Sequence, residues 1–385
     1  MDQALSERLK RVSDRQTYAT QLRDLGAQGR LRRLSPRSGL DFSSNDYLGL
    51  ASSPRIGRAI ADAIARGVPT GSGGSRLLRG NHEEHEALER AAAEWTGAES
   101  ALFFATGFAA NAALLAALPQ SGDLILADEL IHASVHDGLR LARCEARLFA
   151  HNDLEAAGAL LSGWRASNAS GRAWIAVESL YSMDGDRAPM RELVQLAERF
   201  DAMLLIDEAH ATGVFGDRGV GLAQGLDGRD DVIVLRTCGK ALGCEGALVF
   251  LSATLREFLI NRARPFVFST APSPLMAVAV REAISIIVDE PGRSQQLLAL
   301  ADHASDRLER FGVPRTGSQI LPLLIGDEQR TMEVAAALQA RGFDVRGIRP
   351  PTVPAGTSRL RISITLNVDE SAVDALADAL GEALG

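Results

Sequence analysis

The sequence predicts an α/β protein with a mostly parallel central sheet, helices on both faces, and a smaller C-terminal α/β domain. Three observations carry this. From about residue 100 to 250, short apolar runs alternate with longer segments of helical spacing, the pattern of repeated β/α units. Two of those runs, Met203–Ile206 and Val232–Leu235, are apolar throughout, as strands buried on both faces must be. Beyond Pro291 the order is helix, strand, helix, strand, strand, helix, a unit too short to continue the large sheet. The expected division is a helical arm over 1–40, a large domain over 41–290 and a small domain over 291–385.

Bulk properties bound the function. The 385 residues are 46% hydrophobic, enough for a sizeable core, and the net charge of −8 offers no general attraction to nucleic acid or an anionic membrane. No apolar leader and no apolar run near ~18 residues is present, so a cytoplasmic enzyme is expected. Cys144, Cys238 and Cys244 form no C-x-x-C pair, which argues against a disulfide framework or a thiolate metal site. No metal is expected.

Taken in order, Leu5, Leu9, Val12, Ala19, Leu22 and Leu25 predict an amphipathic helix over 4–25, packed on the body or on a partner subunit, with Gly26 as its stop. The cluster Arg30, Arg32, Arg33 and Arg37 is either a solvated loop or an anion clamp. Residues 41–50 predict a short strand that breaks at Asn45-Asp46, and 71–76 a glycine-rich loop. A helix follows from His82 to Trp95. Its His82-Glu83-Glu84-His85 start has histidines at i and i+3, where a zinc protease needs i and i+4. Strand 101–104 runs into Thr106-Gly107-Phe108, where a glycine turn opens a helix and its free amides suit a phosphate. Strand 124–128 leads to His132, placed to stack on an aromatic cofactor. Strands 147–150 and 174–177 follow, the latter ending in the polar loop 178–186, and then helix 190–200. After strand 246–251 come a loop over 266–272 with two hydroxyls, Ser269 and Thr270, and a helix over 274–289. The small domain has strands 320–325 and 360–365, helices 330–342 and 370–384, and a loop over 349–356 stiffened by three prolines.

The chemistry concentrates at the ends of the two apolar runs. One ends in Asp207-Glu208-Ala209-His210 and the other in Thr237-Cys238-Gly239-Lys240. In open α/β sheets the C-terminal strand edge is where ligands bind. An acid, an imidazole, a hydroxyl and an amine meeting there suit pyridoxal phosphate (PLP): Lys240 can form the Schiff base and Asp207 can pair with the pyridinium nitrogen. The D-E-A-H string also names a helicase group, but the phosphate loop that group requires is missing.

With those motifs the chain resembles the α-oxoamine synthases, fold-type I PLP-dependent transferases. The resemblance runs from Phe42-Ser43-Ser44-Asn45-Asp46-Tyr47-Leu48-Gly49 onward through Thr106–Asn111, His132–Ser134, Ser182–Asp186, Asp207–His210 and Thr237–Lys240. It implies catalytic roles for Lys240, His132, Asp207 and His210. It implies cofactor contacts from Gly107, Phe108, Ser182 and Thr237, with Ser269 and Thr270 supplied by the partner subunit of a homodimer with shared sites. Arg361 is implied as the clamp on an amino acid carboxylate. Thr352 would lie near the acyl substrate, Arg32 is taken as the substrate arginine of the arm, and Asn45 and Ser75 line the substrate pockets. The stretch Ile348–Arg361 is similar to the biotin-pathway member, which implies L-alanine and a pimeloyl thioester, on coenzyme A or acyl carrier protein, as substrates. A sister synthase using glycine or serine with another acyl-CoA, or a PLP-binding regulator without turnover, are the alternatives. At Glu208 and Ala211 the chain departs from members with Asp and Gly.

Overall fold

The computed structural model describes residues 16–34, 36–167 and 170–385. Seven strands form the central sheet: β2 (Ser100–Phe104), β3 (Leu124–Asp128), β4 (Glu145–Phe149), β5 (Ala173–Glu178), β6 (Ala202–Asp207), β7 (Val232–Thr237) and β8 (Ala247–Leu251). Their spatial order is β2-β8-β7-β6-β5-β3-β4. Every neighbouring pair from β7 to β4 is parallel, and β8 alone runs antiparallel, against both β7 and β2. The mostly parallel sheet is therefore as expected.

Side-chain parity divides the core into two layers. Ile175, Val177, Leu204, Ile206, Val232 and Val234 point to one face, and Trp174, Ala176, Met203, Leu205, Ile233 and Leu235 to the other. Both sets are buried, which is why these strands carry no polar alternation. Each such Ile or Leu contributes roughly 1.5–3 kcal/mol by leaving water. Helix α4 (Gly107–Ala117) packs on the second face, and α3 (Glu83–Thr96), α7 (Met190–Phe200) and α10 (Pro274–Asp289) contribute to the first.

The C-terminal part holds an antiparallel sheet in the order β11 (Arg346–Ile348), β12 (Ser358–Ser363), β9 (Ile320–Gly326), covered by α11 (Gly292–Leu308), α12 (Glu328–Ala340) and α13 (Glu370–Leu384). The short strand β1 (Leu40–Asp41) pairs with β10 (Phe343–Asp344), so the chain after the arm begins against the C-terminal part. The Ser363 amide donates to Phe42 O and the Leu366 amide to Tyr47 O, which carries Asn45 and Tyr47 to the sheet edge.

One expectation, the loop over 266–272, needs correction, and two helices appear that the sequence does not predict. Residues 16–27 are helical (α1), as expected, and Tyr18, Leu22 and Leu25 are exposed, so of the two surfaces expected to receive the arm its own body does not cover this part. Leu5, Leu9 and Val12 lie outside the described residues. The loop over 266–272 begins inside a one-turn helix, α9 (Arg264–Val267), entered through Pro265. Helix α2 (Pro54–Ala65), which apolar spacing alone does not pick out, starts on a Ser53 cap with Pro54 at its first position. Helix α8 (Ala253–Arg262), capped by Ser252, has too even a mix of polar and apolar residues to show a stripe. The His82-Glu83-Glu84-His85 string is a capping box: His82 Nδ1 accepts from the Glu84 amide at 3.2 Å, and His85 Nδ1 from the His82 amide at 3.1 Å.

Candidate active site

Parity also builds the site. Glu178 continues the Trp174, Ala176 series, Asp207 the Met203, Leu205 series and Thr237 the Ile233, Leu235 series. Glu178 and Asp207 are register partners on adjacent parallel strands. A polar row therefore sits at the C-terminal edge of three neighbouring strands, on the face covered by α4.

Asp207 is fixed from two sides. Asn111 Nδ2 donates to its Oδ2 at 2.8 Å, and the Ala209 amide to its Oδ1 at 2.9 Å. Asn111 also donates to Ser134 Oγ at 3.0 Å, and Ser134 Oγ lies 2.8 Å from His132 Nδ1. His132 caps α5 (Ala133–Leu141) while its ring remains exposed.

Lys240 reaches the same space. Its Nζ is 2.5 Å from His210 Nε2, and His210 Nδ1 is 2.6 Å from the Tyr47 hydroxyl. Tyr47 in turn donates to Asn45 Oδ1 at 3.0 Å. With Lys240 donating to Nε2, the ring proton of a neutral His210 belongs on Nδ1. Burial, with Lys240 and Arg361 nearby, holds His210 well below its usual range, in keeping with a neutral ring. Burial also pulls the Lys240 amine down to about 8, against the opposing influence of Asp207 and Glu178.

Arg361 is the second cation of the crevice and is only 6% exposed. Its Nε donates to Ser182 O at 2.5 Å, one terminal nitrogen to Ser363 Oγ at 2.6 Å and the other to Tyr47 Oη at 3.2 Å. Among the described residues no carboxylate pairs with it. A buried guanidinium with N–H groups to spare is an incomplete ion pair, and a ligand carboxylate would complete it.

The residues present fit PLP. The amides of Gly107 and Phe108, at the start of α4, have no intrahelical partners. A Cβ at Gly107 would sit 3.6 Å from Thr237 Oγ1, so α4 and β7 meet closely here. A phosphate on these amides and the Thr237 hydroxyl, a pyridinium on Asp207 and an aldehyde toward Lys240 require no rearrangement of charge.

The other expected site residues are scattered around this centre. Asn45 is in the hydrogen-bond chain just described, and Ser182 meets Arg361 through its carbonyl. Thr352 accepts from Arg32 at 3.2 Å, so these two come together, both exposed. Arg30 forms an ion pair with Glu328 at 2.5 Å, while Arg33 and Arg37 are exposed. Ser269 and Thr270 are exposed and bond to no part of the crevice, although the next residue, Ala271, donates to Gly74 O at 2.9 Å beside Ser75.

Sequence reasoning did not single out Glu178, Tyr47, Asn111 or Ser134. Parity with Trp174 and Ala176 was the available signal for Glu178. That carboxyl is 2% exposed. It accepts from the Ser182 amide at 3.2 Å through one oxygen, and among the described residues its other oxygen has no hydrogen-bond partner. Burial, then the neighbouring Asp207 charge, pushes it up to about 8. A carboxyl raised on folding favours the folded state most below the ordinary glutamate range. That advantage is lost as pH rises from about 4.5 to about 8. Glu178→Gln should remove this slope. The check is the urea midpoint of the apoprotein from pH 5 to 9; parallel curves for the two proteins would refute it.

A family model described as aminotransferase class I and II matches residues 37–380. With this sheet and this crevice, the chain is a fold-type I PLP-dependent transferase. The chain is 45% identical over 361 residues to 8-amino-7-oxononanoate synthase of Anaeromyxobacter dehalogenans, covering 93% of this chain and 89% of that one. It is 40% identical over 394 residues to the synthase of the same name from Geobacter sulfurreducens, covering 100% of both. A solved serine palmitoyltransferase from S. paucimobilis with a bound PLP–myriocin aldimine superposes with a TM-score of 0.88 at 25% identity, covering 97% of this chain and 98% of that one. The chain belongs to the aminotransferase class I and II family and, within it, to the 8-amino-7-oxononanoate synthases.

Proposed function

We propose that this protein condenses L-alanine with a pimeloyl thioester and releases CO2, the thiol carrier and 8-amino-7-oxononanoate, a step toward biotin. The observation that carries this reading is Arg361, a buried cation with no carboxylate beside it among the described residues, joined through Tyr47 and His210 to the Lys240 amine. An α-amino acid supplies both missing partners, a carboxylate for Arg361 and an amine to exchange with Lys240. The relatives' shared name supports alanine and the pimeloyl group.

PLP supplies a carbonyl that takes up an amine and a ring that accepts the electron pair of a carbanion. The chain supplies the rest. Lys240 anchors the cofactor and then, as a free amine lowered toward neutrality, takes the proton from Cα of alanine. Asp207, held by Asn111 and the Ala209 amide, would pair its carboxylate with the ring nitrogen. His132 covers the ring, and His210 steadies Lys240. Gly107, Phe108, Thr237 and Ser182 hold the cofactor's polar periphery, with Ser269 and Thr270 completing the site of the second subunit in a cytoplasmic homodimer. Arg361 orients the carboxylate that leaves as CO2. Arg32 and Thr352 meet the acyl chain, with Asn45 and Ser75 nearer the amino acid.

The test is a product mass spectrum. PLP-loaded protein is given pimeloyl-CoA with L-alanine, glycine or L-serine in parallel, and then a pimeloyl–acyl carrier protein. An amine of 8-amino-7-oxononanoate mass from alanine alone is expected. Product from glycine or serine instead would assign a sister activity. Amino acid binding without product from either donor would assign a regulator.

A further inference from the structure

The loop over 181–187 is gripped from both sides. From the C-terminal part, Arg359 bonds Asp184, Ser318 Oγ donates to Gly185 O at 2.8 Å, and an Arg187 nitrogen donates back to Gly317 O at 2.7 Å. Gly185 has φ +70°, and a Cβ there would lie 2.3 Å from Ile320 O, so the fit allows only glycine. The same loop presents the Ser182 carbonyl to Arg361.

On the opposite side stands His151, in the turn after β4. Its Nδ1 lies 3.0 and 3.1 Å from the two oxygens of Asp128, and its Nε2 lies 2.8 Å from Asp186 Oδ2. Asn152, in the left-handed region at φ 56°, repeats the connection: its amide donates to Asp128 and its side chain to Asp186, at 2.8 and 2.9 Å. The ring meets Tyr181 edge-on at 4.4 Å between centroids. With a carboxylate at each nitrogen, both nitrogens must donate, which defines an imidazolium. Burial works against that charge, but the bonds from Asp128 and Asp186 outweigh it and raise the group to about 10. Glu129, which accepts from the His151 amide at 3.1 Å, adds a third acidic side chain to this environment.

We propose that His151 is a positioning residue for the reaction: held between Asp128 and Asp186, it fixes the 181–187 loop so that the Ser182 carbonyl aims Arg361 at the substrate carboxylate. This rests on the reading of Arg361 as the carboxylate clamp. Asp128 and His151 lie outside the crevice, since Asp128 belongs to the other face of β3 from Ile125 and Ala127. Asp128 also accepts from the Leu130 amide at 2.8 Å, on the way to His132, so an effect passed along that segment would touch L-alanine and L-alaninamide alike, whereas one passed through the loop is selective for the carboxylate.

The experiment uses PLP-loaded protein and compares L-alanine with L-alaninamide, which lacks the negative charge, by spectral titration. His151→Gln should weaken L-alanine about tenfold, the scale of one charged hydrogen bond lost. Its affinity for L-alaninamide should stay within about twofold, a factor well below one hydrogen bond. Asp186→Asn, which keeps the shape of the loop, should do the same if the histidine variant does not fold. Arg361→Lys is the control for the underlying reading. If it weakens both ligands equally, the clamp assignment fails, and this proposal with it. If it is selective for L-alanine while the His151 and Asp186 variants weaken both ligands equally, or neither, the cluster only stabilises the fold and the proposal is overturned.

Discussion

Lys240→Ala should form no covalent bond to PLP and should lose at least about 10⁴-fold in turnover, the combined scale of a lost nucleophile and a lost general base. The amine is placed for both tasks. It sits 2.5 Å from a neutral His210, near Asp207 and Glu178, and burial has lowered it to about 8. An amine with its ordinary affinity for protons would be almost wholly cationic at neutral pH. One at about 8 keeps a useful free fraction and needs no large rearrangement to lose its proton. The sequence makes the test unusually clean, because the chain has two lysines, Lys10 and Lys240. Borohydride reduction of the loaded protein followed by peptide mass spectrometry should place the label on Lys240 and leave Lys10 bare. Label on Lys10, or turnover by Lys240→Ala within tenfold of the parent, would end the assignment.

That scarcity of lysine is also a signal the motifs do not use. Against a background where nearly every other basic side chain is arginine, a lysine at a strand end is conspicuous by composition alone. Much of the site was readable in this way. Asp207, His210 and Lys240 follow directly from where two apolar runs stop, and Gly107 from a glycine turn opening a helix. What could not be read were relations between distant segments. Tyr47 joins His210 and Arg361 only because residues 42–47 pair with 363–366. Arg30 meets Glu328 across 298 positions. Glu178 lay between, since strand parity placed it beside Asp207 but only burial shows it to be a raised carboxyl, half-unpartnered among the described residues. In the fold, the strands were legible because burial on both faces leaves no polar residue to blur them. Helix α8 was not, because a helix lying at the rim needs no apolar stripe.

Beneath the site, Asp227→Ala should cost about 3–5 kcal/mol of stability, the usual loss when one member of a buried ion pair is removed. Arg236 follows Leu235 on β7, so its side chain points away from the crevice. It is fully buried there, with Asp227 at 0% and 1% side-chain exposure respectively. The pair is bidentate, at 2.5 and 3.0 Å, and the remaining Nε donates to Val220 O at 2.8 Å. The guanidinium also lies 4.6 Å from the Phe250 ring centre. Without Asp227 that buried cation keeps only the influence of Glu208, which makes no direct ion pair with it and whose oxygens already accept from the Leu222 and Ala223 amides. The loss should therefore exceed what the pair itself contributes. An Asp227→Leu, Arg236→Met double variant removes both charges and should recover most of the stability, because apolar replacements of similar volume avoid the desolvation of two ions. Urea denaturation of the apoprotein at pH 7 reads both effects. If the double variant were as unstable as Asp227→Ala, the cost would come from lost packing around β7 rather than from an unpaired charge. Thr237, the next residue of the same strand, gives a second readout. If the pair also holds that strand end in place, Asp227→Ala should weaken PLP binding, and the double variant should restore it along with the stability.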